Sequence, residues 1–295
     1  MREVSRPHLA ERTTLKLGGW AIAELWPENF EDWARIPDRA RSLGGTPLIL
    51  GAGSNTLPRD GELPLVLVRT DRASRLEVVG TRKDGGILVA VGAGVRLRRL
   101  LGFCAGRGLS GLEGLAGVPG SVGGAVAMNA GSFGTEMCRR LDRVTAVTAT
   151  GPETAGPEGF QCGYRSFSFG GRTSGFAVVE AVLALVPDAP EAVRERMRGH
   201  WMAKKASQPL DVPSAGCVFK NPEGRSAGWL LDQAGFRGRR AGGVCLSERH
   251  ANFLVNDGKG TATAALELVE EAREAVRGRF GITLEYEVRV VPCSP

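Results

Sequence analysis

Residues 213–222, PSAGCVFKNP, set a thiol, Cys217, directly after a glycine and ahead of a short apolar pair, with Ser214, Lys220 and Asn221 close by in the chain. A free cysteine is ordinarily a small buried hydrophobe, so a thiol where the chain turns raises the question of whether it packs or reacts. Two glycine-rich stretches pose a second question. GAGSN (Gly51, Ala52, Gly53, Ser54, Asn55) follows an apolar run, and residues 111–134 hold eight glycines in 24 positions. A glycine turn after a strand lets backbone N–H groups reach phosphate oxygens with no Cβ in the way. Taken alone, GAGSN reads equally well as a plain strand exit. Thr56 and Leu57 follow Asn55, so the spacing is not that of G-x-G-x-x-G and a Rossmann unit is not supported. Two such loops in one domain can hold a pyrophosphate and a ring system, which points to a dinucleotide.

Composition narrows the chemistry further. The chain has 295 residues, 42% hydrophobic and 24% charged, enough for two or three domains around sizeable cores. No apolar run reaches the roughly 18 residues of a membrane span, and the charged first twenty residues lack the apolar core of a secretory signal; a cytoplasmic protein is expected. Six cysteines (Cys104, Cys138, Cys162, Cys217, Cys245, Cys293) contain no Cys-x-x-Cys pair and read as reduced thiols. With only His8, His200 and His250 besides, no metal site is expected. A net charge of +6 from 38 basic and 32 acidic residues is mild, and no basic run carries interleaved aromatics. An acidic small molecule is favoured over nucleic acid as partner.

The elements that must position these groups follow from periodicity. TPLIL (46–50), LPLVLV (63–68) and GILVAVGAG (86–94) read as strands. Leu97, Leu100, Leu101 and Cys104 recur at helical spacing and stop at Gly108. A helix opens at Asn29 as N-cap, carries Phe30, Trp33, Ala34, Ala40 and Leu43, and ends at Gly44, with a break expected at Pro37. FAVVEAVLAL (176–185) is a strand, Pro187 and Pro190 mark a boundary, and a charged helix spans Glu191 to Lys205. Ala262, Ala265, Leu266, Val269, Ala272, Val276 and Phe280 share one helical face. ITLEYEVRV (282–290) alternates as a strand, with Glu285, Glu287 and Arg289 on its polar side.

In order from about residue 12 to 291, the motifs TTLKLGGWA, LGAGSN, GLAGVPGSVGGAVAMNAGSFG, CGYRSFSF, PSAGCVFKNP, AGWLLDQAGFRG, SERHANFLVN and EYEVRVV resemble the UDP-N-acetylenolpyruvoylglucosamine reductase (MurB) family. The resemblance implies an α+β chain: an FAD-binding domain of the vanillyl-alcohol-oxidase (PCMH) type in two α/β subdomains, 1–70 and 71–188, and a C-terminal α+β substrate domain, 189–295. It implies FAD and NADPH as cofactors and reduction of a UDP-sugar enolpyruvyl ether to the lactyl ether, a step toward peptidoglycan. It further implies a small-molecule UDP-sugar partner, no nucleic acid, no membrane, and a monomer.

Hydride delivery to the enolpyruvyl methylene builds negative charge on the next carbon and its carboxylate, so a cation and an acid are required. By resemblance, Arg165 meets that carboxylate, as its planar fork suits; Glu287 matches the family glutamate, and Cys217 stands where the family usually has a proton-donating serine. A thiol, with an ordinary pKa of about 8.5, stays mostly protonated at neutral pH and is a better acid than a hydroxyl. Flavin contacts are implied for Gly51, Ala52, Gly53, Ser54, Asn55, Gly117, Val118, Pro119, Gly120, Ser121, Gly123, Gly124 and Arg289. Substrate contacts are implied for Tyr164, Lys220, Asn221 and Lys205, with Lys204 as the alternative to Lys205 at the diphosphate. The interval between CGYR and FAVVE is too short for the substrate-covering loop of one subclass, so the chain resembles the loop-less second subclass. Two other readings stay open: a flavin oxidase of the same fold, and a catalytically decayed nucleotide-binding protein.

Overall fold

The computed structural model describes residues 1–292, in two compact units that each draw on separate stretches of chain. The first comprises Met1–Ser5, Ala23–Ala52 and Val66–Ala203; the second comprises Arg6–Ile22, Gly53–Leu65 and the chain from Lys204 onward. Among the described residues no helix is long and apolar enough to cross a membrane.

The main sheet of the first unit is antiparallel, in the order Gly151–Ala155, Leu141–Thr148, Ala177–Pro187, Ile87–Gly92, Leu76–Thr81, with Leu109–Ser110 added to the far end of the long strand Ala177–Pro187. Its central strands alternate into a core of Val89, Val91, Ala181, Leu183 and Leu185, completed by Leu97, Leu100, Leu101 and Cys104 of helix α2 (Leu97–Arg107). That helix stops at Gly108 in the left-handed conformation, φ 62°, as its C-terminal glycine requires. Helix α1 (Phe30–Ser42) starts under Asn29, whose side chain accepts the Asp32 N–H. It runs straight through Pro37, so the expected break does not occur; the missing N–H costs one intrahelical bond that the buried Trp33, Ile36 and Ala40 outweigh. Helix α3 (Val122–Ala127) rises from the second glycine-rich stretch, and helix α4 (Pro190–Ser207) carries the chain out of this unit.

In the second unit the antiparallel order is Ser214–Cys217, Phe253–Asn256, Val244–Leu246, Arg240–Ala241, backed by helices α5 (Ala227–Gln233) and α6 (Ala262–Phe280). Ala262, Ala265, Leu268, Val269, Ala272 and Val276 line the buried face of α6. Early residues complete this core: Leu15, Leu17 and Leu57 are buried in it, Thr14 donates to Ser214 O at 2.7 Å, and the Asn256 amide donates to Leu15 O at 3.1 Å. The expected long strand over 282–290 is reduced to Arg289–Val291, paired in parallel with Thr56–Pro58. The alternation itself persists, with Leu284 and Val288 buried and Glu285 and Arg289 exposed; before Arg289 the stretch makes only an isolated antiparallel bridge, Phe219 to Tyr286, and no extended ladder.

One further expectation is corrected. Cys138 and Cys162 are joined as a disulfide, with Cα atoms 6.3 Å apart, because the fold brings the 3-10 turn Met137–Arg140 to the strand Phe160–Gly163, two segments that spacing alone leaves unrelated. Cys104, Cys217 and Cys245 take part in no disulfide among the described residues, and Cys293 lies outside them.

Glu113, 7% exposed, anchors α4 to the start of the second glycine-rich stretch. It accepts from Ser110 Oγ (2.8 Å), Gly111 N (2.7 Å) and Arg196 Nη2 (2.7 Å). Burial would raise its carboxyl, but the hydrogen bonds, that of Arg196 foremost, outweigh burial and hold it at about 2, below the ordinary 4.5. A lowered folded pKa contributes stability that is complete above the unfolded value and is lost as pH falls through the folded one. Unfolding free energy should therefore drop between pH 4.5 and 2. Glu113→Gln should flatten that limb and cost about 2–3 kcal/mol at neutral pH, measured by denaturant titration.

Candidate functional site

The two glycine-rich stretches meet within the first unit at Gly51 and Ser121. A Cβ added to Gly51 would stand 2.2 Å from Ser121 Oγ, so only glycine permits the approach. Ser121 is 3% exposed, and its hydroxyl has no hydrogen-bond partner among the described residues, although such buried groups are nearly always satisfied. Gly117 and Gly120 turn with φ of 82° and 145°, conformations open to glycine, and the segment then doubles back: Val122 N–H donates to Val95 O and Gly123 N–H to Ala93 O, both at 2.9 Å. Gly123 packs so closely that a Cβ would lie 2.7 Å from that of Ala93. An orphaned hydroxyl beside two Cβ-free turns fits an oxygen-rich ligand such as a pyrophosphate. Gly117, Val118, Pro119 and Gly120 directly precede Ser121 in the chain and Ala52 follows Gly51, while Gly123 and Gly124 lie within α3.

The remaining members of GAGSN belong to the second unit. Gly53, φ 64°, abuts the Arg12 carbonyl, which a Cβ would meet at 2.2 Å. Ser54 is half-buried. Asn55 bonds both ways with the C-terminal strand: its amide donates to Glu287 O at 2.9 Å, and its own carbonyl accepts from Arg289 N–H at 3.0 Å.

The same unit holds Cys217 and Glu287 through one carbonyl. Val218 O accepts from Glu287 N–H at 2.7 Å and from Val288 N–H at 3.1 Å. Cys217 ends the strand Ser214–Cys217 at a register shift against Phe253–Asn256, with Gly216 at φ 75° and its N–H on Ser214 Oγ. A bulge of this kind re-aims the side chain that follows it. Cys217 and Glu287 are each half-buried. A residue to which the sequence reading gave no role, Asn252, secures the segment from the other side. It is 1% exposed; its Oδ1 accepts from Phe219 N–H (2.9 Å), its Nδ2 donates to Phe219 O (2.8 Å), and its carbonyl accepts from Val218 N–H (2.8 Å). A buried amide flanked by apolar residues in HANFLVN was the available signal, since such a group must be satisfied.

Other expected contacts are partly committed to the fold. Lys220 pairs with the exposed Glu285 at 3.1 Å, and Asn221 Oδ1 accepts the Ala227 N–H at the start of α5. Lys205 is exposed, whereas Lys204 is 2% exposed and burial lowers its ammonium to about 8. Arg289 is exposed.

Arg165 lies in the first unit, with Tyr164 at the turn of a hairpin, Phe160–Gly163 against Ser166–Phe169. Its guanidinium donates to Gly131 O at 3.0 Å and lies 5.5 Å from the Tyr164 ring, which is half exposed. Its φ of 55° is uncommon for a residue with a side chain.

Comparison with known proteins gives the chain's relatives. Residues 208–291 match the family model "UDP-N-acetylenolpyruvoylglucosamine reductase, C-terminal domain", and residues 21–154 match "FAD binding domain". The chain is 49% identical over 292 residues to UDP-N-acetylenolpyruvoylglucosamine reductase of Oleidesulfovibrio alaskensis, covering 98% of each chain. It is 46% identical to that of Nitratidesulfovibrio vulgaris, covering 99% of each. Among solved structures, the reductase MurB of Thermus caldophilus superposes with a TM-score of 0.84 at 36% identity, covering 99% of this chain and all of that one.

The cradle makes a direct test available. Gly51→Ala should push Ser121 out of place and weaken FAD retention by about tenfold or more, each tenfold being about 1.4 kcal/mol. Equilibrium dialysis against FAD, with far-UV circular dichroism as a control for folding, measures this.

Proposed function

The chain belongs to the UDP-N-acetylenolpyruvoylglucosamine reductase family, FAD-dependent oxidoreductases of peptidoglycan precursor synthesis that use NADPH, and on that premise we propose that its own residues carry out the reduction as follows. The reading rests chiefly on the shared carbonyl of Val218, which ties an acid-bearing strand end to the segment that presents the thiol.

Gly51 and Ser121, with the turns at Gly117 and Gly120, would hold FAD, which once reduced by NADPH would supply the hydride for the methylene carbon of UDP-N-acetylglucosamine enolpyruvate. The protein handles the rest of the charge. Arg165 holds the enolpyruvyl carboxylate and offsets the negative charge that grows beside it. Cys217 gives its thiol proton to the carbon next to the carboxylate, completing the lactyl ether of UDP-N-acetylmuramate and leaving a thiolate that regains a proton from water. Glu287, anchored at both its N–H and its carbonyl, is the second acid available to that charge. Lys205, Lys220, Asn221 and Tyr164 contribute polar groups for the UDP-sugar, and Arg289, beside Asn55, contributes to the flavin. The reading places the enzyme in the cytoplasm as a monomer acting on a small-molecule substrate.

Arg165→Ala and Glu287→Gln should slow reoxidation of reduced flavin by substrate about a hundredfold while leaving flavin reduction by NADPH nearly unchanged. The reacting form of Cys217 is the thiol, so the substrate half-reaction should fall as pH rises and the thiol ionises. Cys217→Ser should move that alkaline limb upward, and Cys217→Ala should remove most of the half-reaction. Anaerobic stopped-flow absorbance across pH reads all of these; an alanine variant as fast as wild type would return Cys217 to a packing role.

A further inference from the structure

We propose that the Cys138–Cys162 disulfide and Asn129 form a clamp that positions Arg165, so that the hold on substrate depends on that disulfide being closed. The inference rests on the reading that Arg165 meets the substrate carboxylate.

The guanidinium sits on a tight turn, and a turn displaced by about 1 Å can cost up to a hundredfold in a reaction that needs alignment. Arg165 also keeps a left-handed backbone, φ 55°, a conformation that is strained for a residue with a side chain and persists where its surroundings over-determine it. The surroundings here form a closed circuit. Cys162, in the hairpin strand that leads to the turn, is bonded to Cys138. The next residue, Gly163, accepts at its carbonyl from Asn129 Nδ2 at 2.9 Å, while Asn129 Oδ1 accepts from the N–H of Cys138 at 3.1 Å. One buried amide, 3% exposed and itself at φ 39°, thus spans Cys138, one end of the covalent link, and Gly163, the chain neighbour of its other end. Arg165 adds its own bond to Gly131 O, two residues along from Asn129. Opening the disulfide removes the one covalent tie on a turn otherwise held by the hairpin pairing, the Asn129 amide and the guanidinium bond.

Cys162 is exposed, so its sulfur is within reach of a small dithiol. A thiolate of that dithiol attacks one sulfur and breaks the Cys138–Cys162 bond, forming a mixed disulfide; the second thiol of the dithiol then displaces the protein sulfur. Two electrons and two protons pass to the protein, giving two cysteine thiols, and the dithiol leaves as its cyclic disulfide. Disulfides that meet such reductants in a cytosol are typically transient or regulatory, which suits a bond that positions a side chain over one that holds a core together.

The test compares the holoenzyme closed, reduced with dithiothreitol, and reoxidised, with peptide mapping to report the state of the bond, alongside Cys162→Ser and Cys138→Ser. Opening should raise KM for UDP-N-acetylglucosamine enolpyruvate about tenfold and slow the substrate half-reaction, with flavin reduction by NADPH within about twofold of the closed enzyme. Reoxidation should restore the reduced wild type, and deuterium uptake at residues 163–165 should rise only in the open forms. In an Arg165→Ala background, opening should change nothing further, since the clamp acts through that side chain. If the serine variants fail to fold, the reduced wild type carries the comparison. Equal KM in open and closed enzyme, equal loss in both half-reactions, or a map showing Cys138 and Cys162 as thiols under oxidising conditions would each overturn the clamp. An Arg165→Ala variant with unimpaired substrate reoxidation would instead overturn the role of Arg165 itself.

Discussion

The carbonyl of Val218 is the point on which the second unit's chemistry depends. It accepts from two successive N–H groups, those of Glu287 and Val288, which sets the C-terminal segment against the one that carries Cys217. Neither segment is a regular strand at that place. Buried backbone groups outside a ladder must find partners one by one, and here they do so through side chains: Asn252 pairs with both polar groups of Phe219, and Asn55 holds the carbonyl of Glu287. Side-chain amides replace a missing ladder and permit a glycine-led bulge that an unbroken strand would exclude.

The first unit follows the same physical rule with different parts. Around Ser121, glycines remove side-chain bulk so that backbone and hydroxyl lie close together, and a buried hydroxyl is left for a ligand to satisfy. Around Arg165, a strained turn is held by a covalent bond, an asparagine and the arginine's own contact. Away from these places the unit is an antiparallel sheet whose core of mainly valine, leucine and alanine is completed by residues of α2 and α3. At Arg165 a left-handed backbone, and at Ser121 an unmatched hydroxyl, lie where chemistry is expected, and the core supplies the stability that tolerates them.

Much of this was legible in the chain because it is local. Asn29 and Gly108 bracket helices through hydrogen-bonding and conformational preferences that need no distant partner, and the apolar stripe of α6 repeats at the helical period. The glycine-rich stretches announced a close approach, since few other reasons place so many residues without side chains together. The alternation of 282–290 correctly separated buried Leu284 and Val288 from exposed Glu285 and Arg289. It did not reveal that the stretch forms no continuous strand and divides its bonds between two different segments, because periodicity reports which face is buried and not what lies beside the edge. Pro37 misled for a related reason: the cost of its missing N–H is local, whereas the packing that offsets it is not.

What the sequence by itself determined is therefore the set of short-range preferences: which segments are helices, where turns need glycine, and which motifs tie the chain to its family. Tertiary structure alone decided the pairings between residues far apart. It joined Cys138 to Cys162, brought Asn55 to Glu287 across 232 positions, and gave Leu15, Leu17 and Leu57 to a core built mainly from residues beyond 213. Spacing along the chain cannot encode these, because loop closure discriminates only weakly between long separations. The choice is made instead by whether every buried apolar face and polar group finds a partner in the same fold.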